Sequence, residues 1–235
     1  MAKIYLSPSD QRGNTYGYGS TNEAVQCGYI AEACRRALVR SGQEVMVGHY
    51  KTMAEKCREA DAWGADLYGP IHTNAFEEEE GKPEVMGTRI FSYDTKGKGW
   101  QYAQEVFKVL APLSPGTSEN VKAAPHLFEV RTPKAPTVYT ECEFHDAPDG
   151  AKWIIENTTE IGEALAEGYC NALGEKFVPA GSAVVDGDYV SMADYMALQE
   201  ELKAEKVKEA EELAAADACI ERVRSALKAY DNGKD

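Results

Sequence analysis

No stretch of this sequence is long and apolar enough to span a bilayer. Its first residues, Met1-Ala2-Lys3-Ile4, also lack the charged, apolar and small-residue succession of a secretory signal. The expectation is a protein made in the cytoplasm which, if it works outside, is released by some other agent. No two cysteines form a C-x-x-C pair. Cys27, Cys34, Cys57, Cys142, Cys170 and Cys219 are scattered, which argues against a disulfide framework and for small buried thiols kept reduced. Basic residues are in deficit: 25 Lys and Arg against 39 Asp and Glu leave a net charge of −14. That excludes non-specific attraction to nucleic acid, and bulk charge cannot draw the chain to any other anionic polymer. The compact metal motif H-E-x-x-H is missing as well, so a metal centre would have to be assembled from separate elements.

What is present reads as one α/β domain with a small appendage, for which 235 residues at 43% hydrophobic content are sufficient. A strand over residues 3–7 leads into a Gly-, Asn- and Tyr-rich loop over 11–20. Thr21 or Asn22 then caps a helix that Ser41-Gly42 stops. Strands are expected over 44–48, 67–75, 87–93, 127–131 and 137–144, and helices over 52–63, 98–110 and from Asp149 or Gly150 to Leu173. Residues 112–125 read as a long connection and the acidic run 77–80 as a solvated loop tip. This alternation predicts a single open, mostly parallel sheet with helices on both faces over residues 1–176. A Gly- and Pro-containing linker at 177–188 would lead to a helical segment at 189–235. There Ile220, Val223, Leu227 and Tyr230 follow the spacing of a helix–helix seam, so this segment is expected to form a homo-oligomer, to dock in cis or to serve in targeting.

The chemistry-bearing stretch is Leu67-Tyr68-Gly69-Pro70-Ile71-His72-Thr73-Asn74-Ala75, an apolar strand that delivers an imidazole to its C-terminal end, where open α/β sheets keep their sites. Glu23 opens the first helix beside the end of the first strand, and Glu141 and Glu143 share a face of the last strand by simple alternation. A His and a carboxylate on separate elements suit a zinc ion that keeps an open position, and a further Glu suits a general base.

Several motifs, in order, resemble the zinc-dependent N-acetylmuramoyl-L-alanine amidases, which include phage endolysins and sporulation cell-wall hydrolases. Ile71-His72-Thr73-Asn74-Ala75 is similar to the family's I-H-S-N-A zinc-histidine motif, and Thr21-Asn22-Glu23 to the position of its zinc glutamate. Val138-Tyr139-Thr140-Glu141-Cys142-Glu143-Phe144 is similar to the late strand V-x-V-E-x-x-F, whose Glu is catalytic. Phe144-His145-Asp146 followed by Trp153-Ile154-Ile155-Glu156-Asn157 resembles endolysin-like members from gut bacteria and their phages. The resemblance implies a peptidoglycan hydrolase that cuts the amide between N-acetylmuramic acid and the L-Ala of the stem peptide. Zinc would be held by Glu23, His72 and a first-loop residue. Glu141 would be the general base, with Asn74 and Glu143 as candidate substrate contacts. An endolysin of this kind would reach the wall by holin-type lysis. The first loop departs from the family's D-P-G-H-G: it reads Ser7-Pro8-Ser9-Asp10-Gln11. Alignment by the proline puts Asp10 at the histidine's place, the S-P-S-x-Q branch puts Gln11 there, and Asn14 is a third candidate. An amide oxygen is a weaker zinc ligand than imidazole. The rival reading is therefore a metal-poor, catalytically weak peptidoglycan-binding module of the same fold.

Overall fold

The computed structural model describes residues 1–49, 51–76, 85–117 and 120–181. Its elements alternate: β1 (Lys3–Pro8), α1 (Glu23–Arg40), β2 (Glu44–Val47), α2 (Met53–Trp63), β3 (Leu67–Asn74), β4 (Arg89–Ser92), α3 (Lys98–Leu110), β5 (Asn120–Ala123), α4 (Phe128–Arg131), β6 (Tyr139–Phe144), α5 (Pro148–Glu156) and α6 (Thr158–Leu173). The six strands form one sheet in the order β2-β1-β3-β6-β4-β5. All neighbours pair in parallel except β4 and β6, so the expected open, mostly parallel sheet is present, with one antiparallel seam near its edge.

Helices cover both faces. On one side α1, α3 and α6 close over Ile4, Leu6, Ile30, Leu38, Ile71, Val106 and Leu165, all fully buried. Here α6 approaches its neighbours at backbone distance. A Cβ on Gly162 would stand 2.5 Å from that of Ala33, and one on Gly168 would stand 2.6 Å from Val106 Cα. On the other side α2 and α4 cover a smaller cluster in which Tyr5 and Tyr68 stack at 5.4 Å. Caps follow the sequence: Asn22 accepts from Val25 N, Thr52 and Glu55 form a capping box, and Gly64 ends α2 in the left-handed region. The five described cysteines are buried free thiols.

Three expectations are corrected. Residues 127–131 are a helical turn, not a strand. Adjacent Glu129 and Val130 are both enclosed, which successive residues of a half-covered strand would not be. Residues 120–123, inside the expected long connection, are an edge strand that pairs with β4 while its last residues stay exposed, so backbone pairing and not burial defines it. The single helix expected to end at Leu173 is two. Asn157 leaves helical geometry at φ −125°, ψ 23°, and its side chain donates back to Trp153 O at 2.7 Å.

The first residues after α6 are packed on the domain: Phe177 lies against the core, Val178 N donates to Ser41 Oγ at 3.0 Å and Arg40 Nε donates to Val178 O at 2.8 Å. The acidic run 77–80 and the seam formed by Ile220, Val223, Leu227 and Tyr230 lie outside the described residues. Among the described residues no helix is long and apolar enough to cross a membrane.

Candidate active site

The chain leaves β1 for β2 on one side and returns to β3 on the other. This opens a crevice beyond the C-terminal ends of β1 and β3, the place where open α/β sheets bind ligands. Three segments converge there. β1 runs into the loop 9–22, β3 brings His72, and β6 places Glu141 directly opposite His72. The loop is pinned down. Asn14 O accepts from Glu23 N at 3.0 Å, Gly17 N donates to His145 O at 2.8 Å, and Tyr16 bonds to Thr73 Oγ1 at 3.0 Å while stacking on the His145 ring at 5.2 Å.

Within the crevice, Glu23 Oε1 lies 2.9 Å from His72 Nδ1, and both side chains are almost wholly enclosed. Asn14 Nδ2 donates to Glu23 Oε2 at 2.6 Å and to Gln11 Oε1 at 3.2 Å, and Gln11 Nε2, the nitrogen of its carboxamide, stands 3.4 Å from the same His72 Nδ1. Tyr139 stacks on the imidazole at 4.5 Å and 14°, which fixes the plane of the ring. Two of the three first-loop candidates, Gln11 and Asn14, thus reach the His72–Glu23 pair. Asp10 instead faces solvent beside Arg12, at 3.6 Å.

The other proposed residues are placed as follows. Glu141 is partly exposed, with Oε2 itself shut in and lacking a hydrogen-bond partner among the described residues. Asn74 ends β3, half-buried, its side-chain oxygen accepting from Ala75 N at 2.9 Å. Glu143 is fully buried, and its carboxylate accepts from Gly87 N at 2.6 Å, from Phe144 N at 2.8 Å and from the Ser114 hydroxyl. A bulge separates it from Glu141: His72 and Asn74 pair with Glu141 and Phe144, so β6 carries one extra residue and the simple alternation expected for Glu141 and Glu143 is broken.

A fourth carboxylate, unforeseen in the sequence, sits behind the imidazole. Glu129 on α4 is 2% exposed, and its Oε2 lies 3.5 Å from His72 Nε2. Its Oε1 accepts from Ser7 Oγ at 2.5 Å and from Tyr68 OH at 2.6 Å. The only sequence signal for it is an acidic residue between Phe128 and Val130 in an otherwise apolar stretch.

Charge is finely divided here. Burial pushes His72 toward neutrality, but Glu129 and Glu23 outweigh it and raise the imidazole to about 10. Burial likewise pushes Glu23 and Glu129 up, and the bonds and charge of His72 hold both below the ordinary carboxyl value. Glu141 is raised to about 7 by burial, opposed by His72 and reinforced by Glu23. The sign of the stability effect follows. The His72 contribution is complete below its ordinary value of 6.5 and is lost as pH rises through about 10. Ionising Glu141 adds a cost between 4.5 and about 7. The Glu23 and Glu129 contributions are lost only as pH falls below 4.5. Chelator-treated protein is therefore expected to melt highest near pH 5 and progressively lower toward pH 9. A metal ion taken up by His72 in place of a proton would raise the melting temperature more at pH 8 than at pH 5, and zinc is the ion to try. Calorimetry across pH with and without zinc checks both slopes.

The donors present are one carboxylate oxygen, one imidazole nitrogen and two amides, a set that suits a divalent ion accepting nitrogen and oxygen ligands. Among the described residues no group of three His, Cys, Asp or Glu side chains is placed to hold a metal.

Comparison with known proteins bears on the same region. The profile of the N-acetylmuramoyl-L-alanine amidase family matches residues 9–175. Comparison with curated proteins gave no match. Among solved structures, the catalytic domain of the CwlV amidase from Paenibacillus polymyxa superposes with a TM-score of 0.65 at 14% identity, over 75% of this chain and 100% of that one. An N-acetylmuramoyl-L-alanine amidase of Nostoc punctiforme gives 0.63 at 14% identity, over 74% and 98%. The catalytic domain of an endolysin targeting Clostridium difficile gives 0.58 at 20% identity, over 73% and 98%.

Proposed function

The chain belongs to the family of N-acetylmuramoyl-L-alanine amidases, hydrolases of peptidoglycan, and on that premise we propose how its own residues carry the reaction. The bond cut is the amide between the lactyl group of N-acetylmuramic acid and the L-Ala of the stem peptide. Glu23 and His72, through Nδ1, are proposed to hold a zinc ion with the Gln11 carboxamide as third ligand. The supporting observation is the approach of all three side chains to one point at the sheet's C-terminal edge, where the Gln11 carboxamide would turn its oxygen, now accepting from Asn14, toward the metal. Asp10 is set aside because it is turned to Arg12. When bound, zinc supplies Lewis acidity toward the scissile carbonyl and toward water.

Glu141 is proposed as the general base. It lies opposite His72 on the neighbouring strand, is accessible in part, and is raised toward neutrality, where a base both accepts and returns a proton efficiently. It would take the proton of the attacking water and hand it to the leaving amine. Glu129 is not proposed for this role, since it is enclosed behind the imidazole, with Oε1 held by two hydroxyls and Oε2 turned to His72 Nε2. Asn74, half-buried at the end of β3, is proposed to contact the muramyl peptide. For Glu143, fully buried and bonded to three donors, we propose an anchoring role for the segments around Gly87 and Ser114. Metal analysis of the purified chain together with hydrolysis of a muramyl peptide tests the reading. A folded protein that takes up no zinc and cuts nothing would overturn it.

The amide ligand favours the second reading, a weakly loaded binding module. Metal content and muramyl-peptide hydrolysis of the wild-type chain separate the two, and Gln11→His tests the ligand itself. Because imidazole is the stronger donor, zinc affinity should rise by at least about tenfold, the size of change that one adjustment around a zinc site produces. Competition with a chromophoric chelator measures it, and an unchanged affinity would remove Gln11 from the ligand set.

A further inference from the structure

His72 is the single imidazole of the site, and its two nitrogens face different surroundings. Nδ1 meets Glu23 at 2.9 Å and Gln11 Nε2 at 3.4 Å, while Nε2, on the opposite edge of the ring, makes no hydrogen bond among the described residues and has Glu129 Oε2 at an ion-pair distance of 3.5 Å. The remaining described histidines are elsewhere, with His145 committed to Thr73. We infer that Glu129 is the positioning residue for His72: it holds the proton on Nε2, so that the Nδ1 lone pair is turned to the side where Glu23 and Gln11 converge, and its negative charge makes that nitrogen a stronger donor. The inference deepens the metal-site reading given above and rests on it.

Three observations carry it. The carboxylate is nine-tenths buried or more, a costly position for a charge unless each oxygen is matched. Its Oε1 is matched by two hydroxyls, Ser7 and Tyr68, which come from β1 and β3 and aim the other oxygen at the imidazole edge. Tyr139 stacks on one face of the ring at 4.5 Å and opposes its tilting in that direction. In a neutral imidazole one nitrogen donates and the other accepts, so the partner of one nitrogen decides what the other can do. A carboxylate behind a metal-binding histidine also raises its basicity. This matters more here than at a site with two imidazoles. With an amide as the third donor, His72 and Glu23 must supply most of the affinity.

A merely structural Glu129 would tie α4 to the sheet through Ser7 and Tyr68 and leave the imidazole alone. The two roles differ in what happens to the His72 ring. In Glu129→Gln, zinc affinity by chelator competition should fall about ten- to a hundredfold. The ¹⁵N resonances of the His72 ring should move in both the zinc-loaded and the chelator-treated full chain, and the Nε2 proton should exchange faster with solvent. Tyr68→Phe, which removes one of the two aiming hydroxyls, should produce a smaller change in the same direction, and it serves if the glutamine variant does not fold. Wild-type affinity together with unmoved His72 resonances would overturn the assignment. If the wild-type chain itself binds no zinc, the metal-site reading fails instead, and the metal-free ring resonances still decide whether Glu129 governs His72.

Discussion

Replacing His72 by alanine should abolish stoichiometric zinc binding and, with it, measurable hydrolysis. This is the largest effect expected of any single change in the molecule. His72 supplies the only imidazole among the donors that converge at the site, and the two amides beside it are too weak to hold a zinc ion with Glu23 alone. The substitution also strips Glu23 and Glu129 of the partner they share. Removing one member of a buried charged set costs on the order of 3–5 kcal/mol, so the variant should melt lower than wild type. That loss should shrink at acidic pH, where the stranded carboxylates take up protons. Metal content per folded molecule, with folding verified by circular dichroism, is the deciding measurement. Zinc at the wild-type ratio in the alanine variant would make His72 structural and remove the basis of the site.

Glu141→Gln should have the second largest effect, of a different kind. The amide keeps the size of the side chain but can no longer take a proton. Hydrolysis should drop by at least about a hundredfold, the low end for loss of a general base, while zinc content stays at the wild-type level. Because the ionised carboxylate is enclosed at a cost, the variant should be no less stable than wild type at pH 8 and could melt higher. Loss of activity at full metal loading, with stability kept, distinguishes a base from a ligand. Initial rates on a muramyl peptide alongside metal analysis give the answer, and a wild-type rate would take Glu141 out of the reaction.

Most of the frame was legible because its signals are local. Asn22 and Gly64 stop and start helices by chemistry confined to a few residues, and the apolar run into His72 needs two covered faces to make sense. Glu23 and His72 stood out as candidates because each lies near the end of such an element, and Glu141 because it is a carboxylate within an otherwise buried strand. Glu129 did not. Its importance comes from contacts with Ser7 and Tyr68, 122 and 61 residues away in the chain, and reading residues 127–131 as a strand hid which neighbours would be enclosed together. The choice between Asp10 and Gln11 is of the same type. One residue of offset in a Gly-rich loop has no periodicity to settle it, whereas in space Arg12 engages one side chain and His72 lies beside the other. β5 escaped notice because an edge strand can be defined by its ladder alone, without an apolar pattern.

The extra residue in β6 also bears on how the chain finds its pairing. Thr140-Glu141-Cys142-Glu143-Phe144 nearly repeats itself every two residues, so sliding β6 two places along β3 would bring one glutamate where the other belongs and leave a carboxylate opposite His72. A ladder read by side-chain type alone would be close to degenerate between these alignments. The bulge and the three donors gathered around Glu143 lift that degeneracy. In the slipped alignment the Gly87 and Ser114 groups would lose their acceptor, and a second carboxylate would be enclosed without a donor. Glu143 would act in this sense as a proofreading residue, its burial favouring the register in which Glu141 stands between His72 on one neighbouring strand and Arg89 on the other.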